Sequence, residues 1–194
     1  MVGLGGPGVA RTVTDGRAVS GGAASLRGMR DEPRTGDEQA VLLAALQSHR
    51  DVMLWKLDGL SDEEQRRPMV PSGTNLLGLV KHLANAEYGW FCTTFGRPTE
   101  PLTDISQDPE ADMRAAPGET TQQVIDFYRR SWAASDAAVH ELGLDATGTS
   151  YAGRTVSMRW VLVHMVEDTV RHAGHADILR ELLDGGTGHH VPPQ

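Results

Sequence analysis

A chain of 194 residues with 39% apolar and 23% charged side chains has room for one domain with a real hydrophobic core. Its net charge of −8, with no basic stripe to offset it, argues against nucleic acid as a partner. A single cysteine, Cys92, excludes a disulfide framework, and no apolar run approaches the roughly 20 residues that cross a bilayer. The N-terminus carries no continuous apolar stretch of the secretory type, so the expected setting is the cytoplasm.

Residues 1–36 are rich in Gly, Arg and Ala and almost free of large apolar side chains, so a disordered extension is expected there. Met29, just ahead of Asp31-Glu32-Pro33, is an alternative start to the domain. Four long helices follow in residues 37–186. The first runs from about Asp37 to Leu57, with Val41, Leu42, Ala45, Leu46, Val52 and Trp55 at helical spacing. Ser61-Asp62-Glu63-Glu64 has a capping-box pattern and predicts a short helical turn. Pro68 and Pro71 break the chain, and Ser72 or Thr74 is the expected cap of the second helix, which stops at Gly96.

Residues 97–118 hold four prolines and many acids and read as a long crossover loop, with a helical turn within Pro109 to Met113. Thr120 or Thr121 starts the third helix, which carries Val124, Ile125, Phe127, Tyr128, Trp132 and Ala137. A Gly- and Thr-rich stretch, residues 143–155, is a loop able to pair briefly with itself. Ser157 caps the fourth helix, which runs to about Asp184 before Gly185-Gly186, and residues 187–194 form a flexible tail. The fold class is therefore all-α, a four-helix bundle with one long crossover. Each long helix carries one tryptophan (Trp55, Trp90, Trp132, Trp160), and core packing is the expected role of all four.

The chemistry concentrates in the fourth helix. With His164 at zero and about 100° per residue, Asp168 falls near 40°, His172 near 80° and His175 near 20°. Val161, Met165, Leu179 and Leu183 occupy about 60° to 100° on the same scale, so the polar stripe borders the bundle interior. Imidazoles and a carboxylate left unpaired there would be costly, and a metal ion would satisfy them. His82 in the second helix, beside Leu79, Leu83 and Trp90, points to the same margin. Two side chains one turn apart plus one from a facing helix make a three-donor set with open positions, the pattern of a catalytic zinc site. Glu167 competes with Asp168, but it lies about 140° from His172 around the helix, and Asp168 is preferred.

His164 and His175 read as substrate-facing or supporting groups and Arg171 as a cation able to steer an anionic substrate, with a solvated helix-face charge as its plainer role. Cys92 is expected to be a small buried residue. His49, His140 and His189-His190 lack ligand-spaced partners. Gly3 to Gly8 has neither a preceding strand nor a following Lys-Ser/Thr and is no phosphate loop.

Leu79-Val80-Lys81-His82-Leu83-Ala84-Asn85-Ala86-Glu87 and His164 through Leu179 resemble the two signature helices of the DinB-like superfamily. The likeness extends over about residues 36–186. It is closest to the branch called domain of unknown function 664 and to the mycothiol-dependent maleylpyruvate isomerases, whose first helix and turn Trp55-Lys56-Leu57-Asp58-Gly59-Leu60-Ser61 also resembles. The resemblance implies a four-helix bundle with a divalent metal, usually zinc or nickel, held by His82, Asp168 and His172. It also implies a thiol cofactor such as mycothiol or bacillithiol, activated as the thiolate. Most of the superfamily has His where this chain has Asp168, the isomerases have Glu, and many members have Gln at the position of His175.

Two functions follow from this resemblance. One is a metal-dependent, thiol-using transferase or isomerase acting on a small electrophilic molecule, with His175 or His164 carrying the proton. The other is a non-catalytic binding or stress-response module that keeps the bundle but binds no metal. The partners expected are a small-molecule substrate and a second copy of the chain as a candidate homodimer partner, with neither nucleic acid nor membrane.

Overall fold

The computed structural model describes residue 33 and residues 35–188. Residues 1–32 and 34 of the expected disordered extension, the alternative start at Met29 and the pair His189-His190 lie outside the described residues. Four long helices carry the architecture: α1 (Glu38–Trp55), α3 (Leu76–Glu87), α4 (Thr121–Leu142) and α5 (Met158–Asp184). A short helix, α2 (Asp62–Arg66), and a two-stranded hairpin, β1 (Thr147–Thr149) and β2 (Thr155–Ser157), complete it. α3 packs along α4, α1 packs along α5, and α3 faces α5 across the middle of the bundle.

Local side-chain chemistry sets the helix starts. Asp37 accepts from the Ala40 amide, and Ser61 with Glu64 forms the reciprocal capping box read from the sequence. Thr120 with Gln123 forms a second box, which resolves the Thr120/Thr121 alternative, and Ser157 accepts from the Trp160 amide. The cap of α3 departs from expectation. It is Asn75, whose Oδ1 accepts from the Gly78 amide at 2.8 Å, whereas the Ser72 and Thr74 hydroxyls lie 2.9 Å from each other. Asn75 has the extended backbone of a cap, φ −140° and ψ 166°, immediately before the first helical residue.

Past Glu87 the second long helix does not continue as a regular α-helix. Tyr88–Cys92 widens into a π-helical turn, Thr93–Phe95 tightens into a 3₁₀ turn, and Gly96 stops the chain in the left-handed region at φ 67°. The hairpin docks on this terminus. Gly148 is so close that a Cβ there would overlap the Thr94 carbonyl. The pairing anticipated in the Gly/Thr stretch is antiparallel, with Gly148 opposite Val156.

Two apolar clusters fill the bundle. One gathers Met53, Leu77, Leu83, Tyr128 and Leu179, the other Leu46, Phe91, Val139, Leu162 and Met165. Arg50, between Leu46 and Met53 on α1, is fully buried with Glu87 of α3 in a bidentate pair at 2.7 and 2.6 Å. Asp136 of α4 accepts from the same guanidinium at 2.9 Å. Three helices are thus tied at one point by charges whose removal one at a time would be costly.

Cys92 is buried, as expected. The tryptophans do not all fill the core, which corrects the sequence reading: Trp160 is 47% exposed and Trp90 only half-buried. The buried arc of α5 reaches Leu162, Thr169 and Ala173, so its centre lies further round than the four residues used to place it, and Trp160 falls outside it.

Candidate metal centre

Two facing helices bring His82, Asp168 and His172 together. One ligand atom from each lies within 4.8 Å of the others, and the His82 and His172 rings stand edge to face with centroids 4.8 Å apart. Their side chains are 26%, 20% and 12% exposed in that order, so the group is largely desolvated yet reachable from solvent. His172 Nε2 lies 3.5 Å from Asp168 Oδ1, one helical turn away. Glu167 is exposed and stands outside the group.

The electrostatics favour one anion among imidazoles. Burial pushes the Asp168 carboxyl upward, but the hydrogen bond and charge of His172, then His82 and His164, pull it below the usual carboxylate range. Burial alone would depress the His82 imidazolium, but the carboxylates of Asp112, then Asp168 and Glu110, together outweigh it and raise the pKa.

Asp112 is the residue the sequence reading missed. It sits in the 3₁₀ turn Ala111–Met113 of the crossover, is buried, and places Oδ2 2.9 Å from His82 Nδ1. That turn is seated against α3 at Gly78, where a Cβ would overlap the Met113 carbonyl. A carboxylate on Nδ1 holds that nitrogen as the N–H donor and leaves Nε2 as the lone-pair side, free to act as a ligand. Nothing in the sequence separates Asp112 from Glu100, Asp104, Asp108 and Glu110 of the same loop.

The residues fit a divalent cation. His172 Nδ1 is buried with no hydrogen-bond partner among the described residues, a cost that an ion bound at that nitrogen, or a water on it with the ion at Nε2, would remove. Two imidazoles and a carboxylate, one imidazole held by a carboxylate of its own, are the donor chemistry of zinc or nickel sites.

The remaining predicted residues flank this group along α5. His175 is exposed, its ring 5.5 Å from that of His172, and burial, then the positive neighbours His172 and Arg171, depress its pKa. Arg171 is exposed. His164 leans away from the triad: its ring stacks on Trp160 at 5.0 Å and stands edge to face with Trp90 at 4.6 Å. His140 is exposed, beside Gln39.

The comparisons with known proteins agree with this fold. A conserved protein from Enterococcus faecalis superposes with a TM-score of 0.59 at 16% identity, covering 78% of this chain and all (100%) of its own. A DinB-like protein from Bacillus cereus superposes with a TM-score of 0.52 at 18% identity, covering 72% of this chain and 88% of its own. A comparison with curated proteins finds no significant match. The sequence model of one family, Mycothiol-S-transferase, matches residues 41–185, three quarters of the chain and all four long helices in substance. The chain belongs to the mycothiol-S-transferase family and is a DinB-like four-helix bundle.

Proposed function

We propose that the protein is a metal-dependent thiol S-transferase that joins a low-molecular-weight thiol, mycothiol or a close analogue, to a small electrophile. The observation that carries this reading is the convergence of His82, Asp168 and His172, with Asp112 behind His82, in a chain of this family. These three side chains would hold the ion, zinc or nickel by donor type. When bound, it supplies Lewis acidity that lowers the pKa of a thiol beside it.

The rest is work for the chain's own residues. The thiol proton leaves to a ring nitrogen of His175, the exposed imidazole next to His172, and from there to water. The sulfur electron pair then forms the new C–S bond while the leaving group departs with the electrons of the bond it breaks. In an addition, that pair moves into the acceptor and the carried proton returns to it. Arg171, exposed at the same mouth, attracts the anionic partner. The fully buried core beneath the triad, Leu83 and Met165 among it, keeps bulk water to one side.

Metal analysis of natively purified protein tests the first half of this reading. Near-stoichiometric zinc or nickel, lost in His82→Ala and His172→Ala, is the expected result. A metal-free protein that gains no affinity for either ion on reconstitution would leave only the non-catalytic module.

A further inference from the structure

The triad joins α3 to α5, and one stripe of α5 leads away from it. His82 and Ala86 stand one turn apart on α3, and Trp90 follows in the π turn beyond its end; on α5, His172, Asp168, His164 and Trp160 stand at four-residue intervals running the opposite way. The π turn that contains Trp90 changes the helical register there and aims the indole across at α5, where it meets His164 at 4.6 Å and Trp160 at 5.6 Å. Tyr151, at the tip of the hairpin, closes the far side with its ring 5.7 Å from Trp90. Together with Arg154 and Val156 these rings line a cleft of about 570 Å³.

Three features give the cleft a chemical preference. Its walls are ring faces and edges, and it keeps Trp160 at 47% and Tyr151 at 93% exposure, apolar surface that a folded chain gains nothing by leaving in water. Among the described residues no Asp or Glu lines it, although the chain carries 26 acids. Arg154, its one formally charged residue, makes no side-chain ion pair or hydrogen bond among the described residues. By helix rise, Asp168 lies only about 6 Å along α5 from His164 and about 12 Å from Trp160.

We propose that this cleft is the acceptor subsite, and that the acceptor is a planar aromatic or conjugated electrophile bearing a carboxylate or similar anion. Its ring lies against Trp90 and Trp160 under Tyr151, its anionic group meets Arg154, and its reactive carbon points along α5 past His164 toward the triad. The assignment rests on the transferase reading for the word acceptor. The cleft's ligand preference does not rest on it.

The test uses metal-stripped full-length protein, so that it reads the cleft and not the triad. 4-Nitrobenzoate is titrated in with the four indole N–H resonances followed by NMR, against cyclohexanecarboxylate (anionic, not planar) and nitrobenzene (planar, not anionic). 4-Nitrobenzoate should shift the Trp90 and Trp160 signals saturably and bind at least about tenfold tighter than either control. Trp160→Leu and Arg154→Gln, both at exposed positions, should each weaken it several-fold while leaving zinc affinity unchanged. Equal binding of planar and saturated acids, no saturable shift at these two indoles, or unaltered binding by Trp160→Leu overturns the proposal. So does a Trp160→Leu variant that turns a dimer into a monomer in sedimentation without changing probe binding, since a second copy would then cover the rings. Probe binding that holds in a protein unable to bind metal would sink the transferase reading and leave the cleft intact.

Discussion

Asp112→Asn should weaken zinc binding by about ten- to a hundredfold, the range for losing a carboxylate behind a ligating imidazole, or roughly 1.4 to 2.7 kcal/mol. The structure shows why the effect should be this large for a residue that touches no metal. Asp112 is buried, and its Oδ2 lies 2.9 Å from His82 Nδ1. Asparagine keeps the volume but loses the charge. If its amide N–H₂ faces the ring, the proton moves to Nε2, the nitrogen that must stay free. Gly78→Ala should act in the same direction from a distance, because its methyl group would overlap the Met113 carbonyl and push the Ala111–Met113 turn off α3. Competition against a chromophoric chelator measures both variants. If both hold zinc as tightly as the parent while His82→Ala loses it, Asp112 does not orient His82, and the account of the crossover loop fails.

Glu167→Gln should leave metal content intact and His172→Ala should empty the site, as read by metal analysis after dialysis; the reverse pattern would move the carboxylate ligand to Glu167. Asp168→His should tighten zinc in the same chelator competition, because imidazole reaches further than the short Asp side chain and is a good zinc ligand; weaker retention would show a pocket shaped around a carboxylate. Arg50→Met should cost about 3 to 5 kcal/mol by stranding Glu87 in the core, a fall in Tm of roughly 6 to 20 °C, with Arg50→Met/Glu87→Leu recovering most of it; a double variant no more stable than the single one would contradict this.

Much of the bundle is legible in the sequence because its helices begin and end with side chains that act locally. Ser61, Thr120 and Ser157 cap the helices they precede, and Gly96 and Gly185 end theirs in the left-handed region. The same holds for the triad half contributed by α5, since the angular position of Asp168 against His172 follows from helix geometry alone. What escaped depends on contacts between distant segments. Asp112 gains its place from the docking of a proline-rich loop on Gly78, which no periodicity announces. The π turn at Tyr88–Cys92 leaves Trp90 off the register a regular helix would give it, and the hairpin then brings in Tyr151. Trp160 read as core because it is a tryptophan in a buried helix. Its angle, outside the arc of Val161, Leu162 and Met165, was the signal available.

The central claim is that the three converging side chains activate a thiol for transfer. The measurement that meets it most directly is the rate at which mycothiol loses its free thiol in the presence of an aryl or alkyl halide. It is followed with zinc-loaded protein, with the same protein after chelation, and with His172→Ala. Zinc-loaded protein should accelerate conjugation well above the uncatalysed rate, and chelation and His172→Ala should each abolish the acceleration while helicity is unchanged. Conjugation that proceeds equally fast in all three samples would contradict the claim.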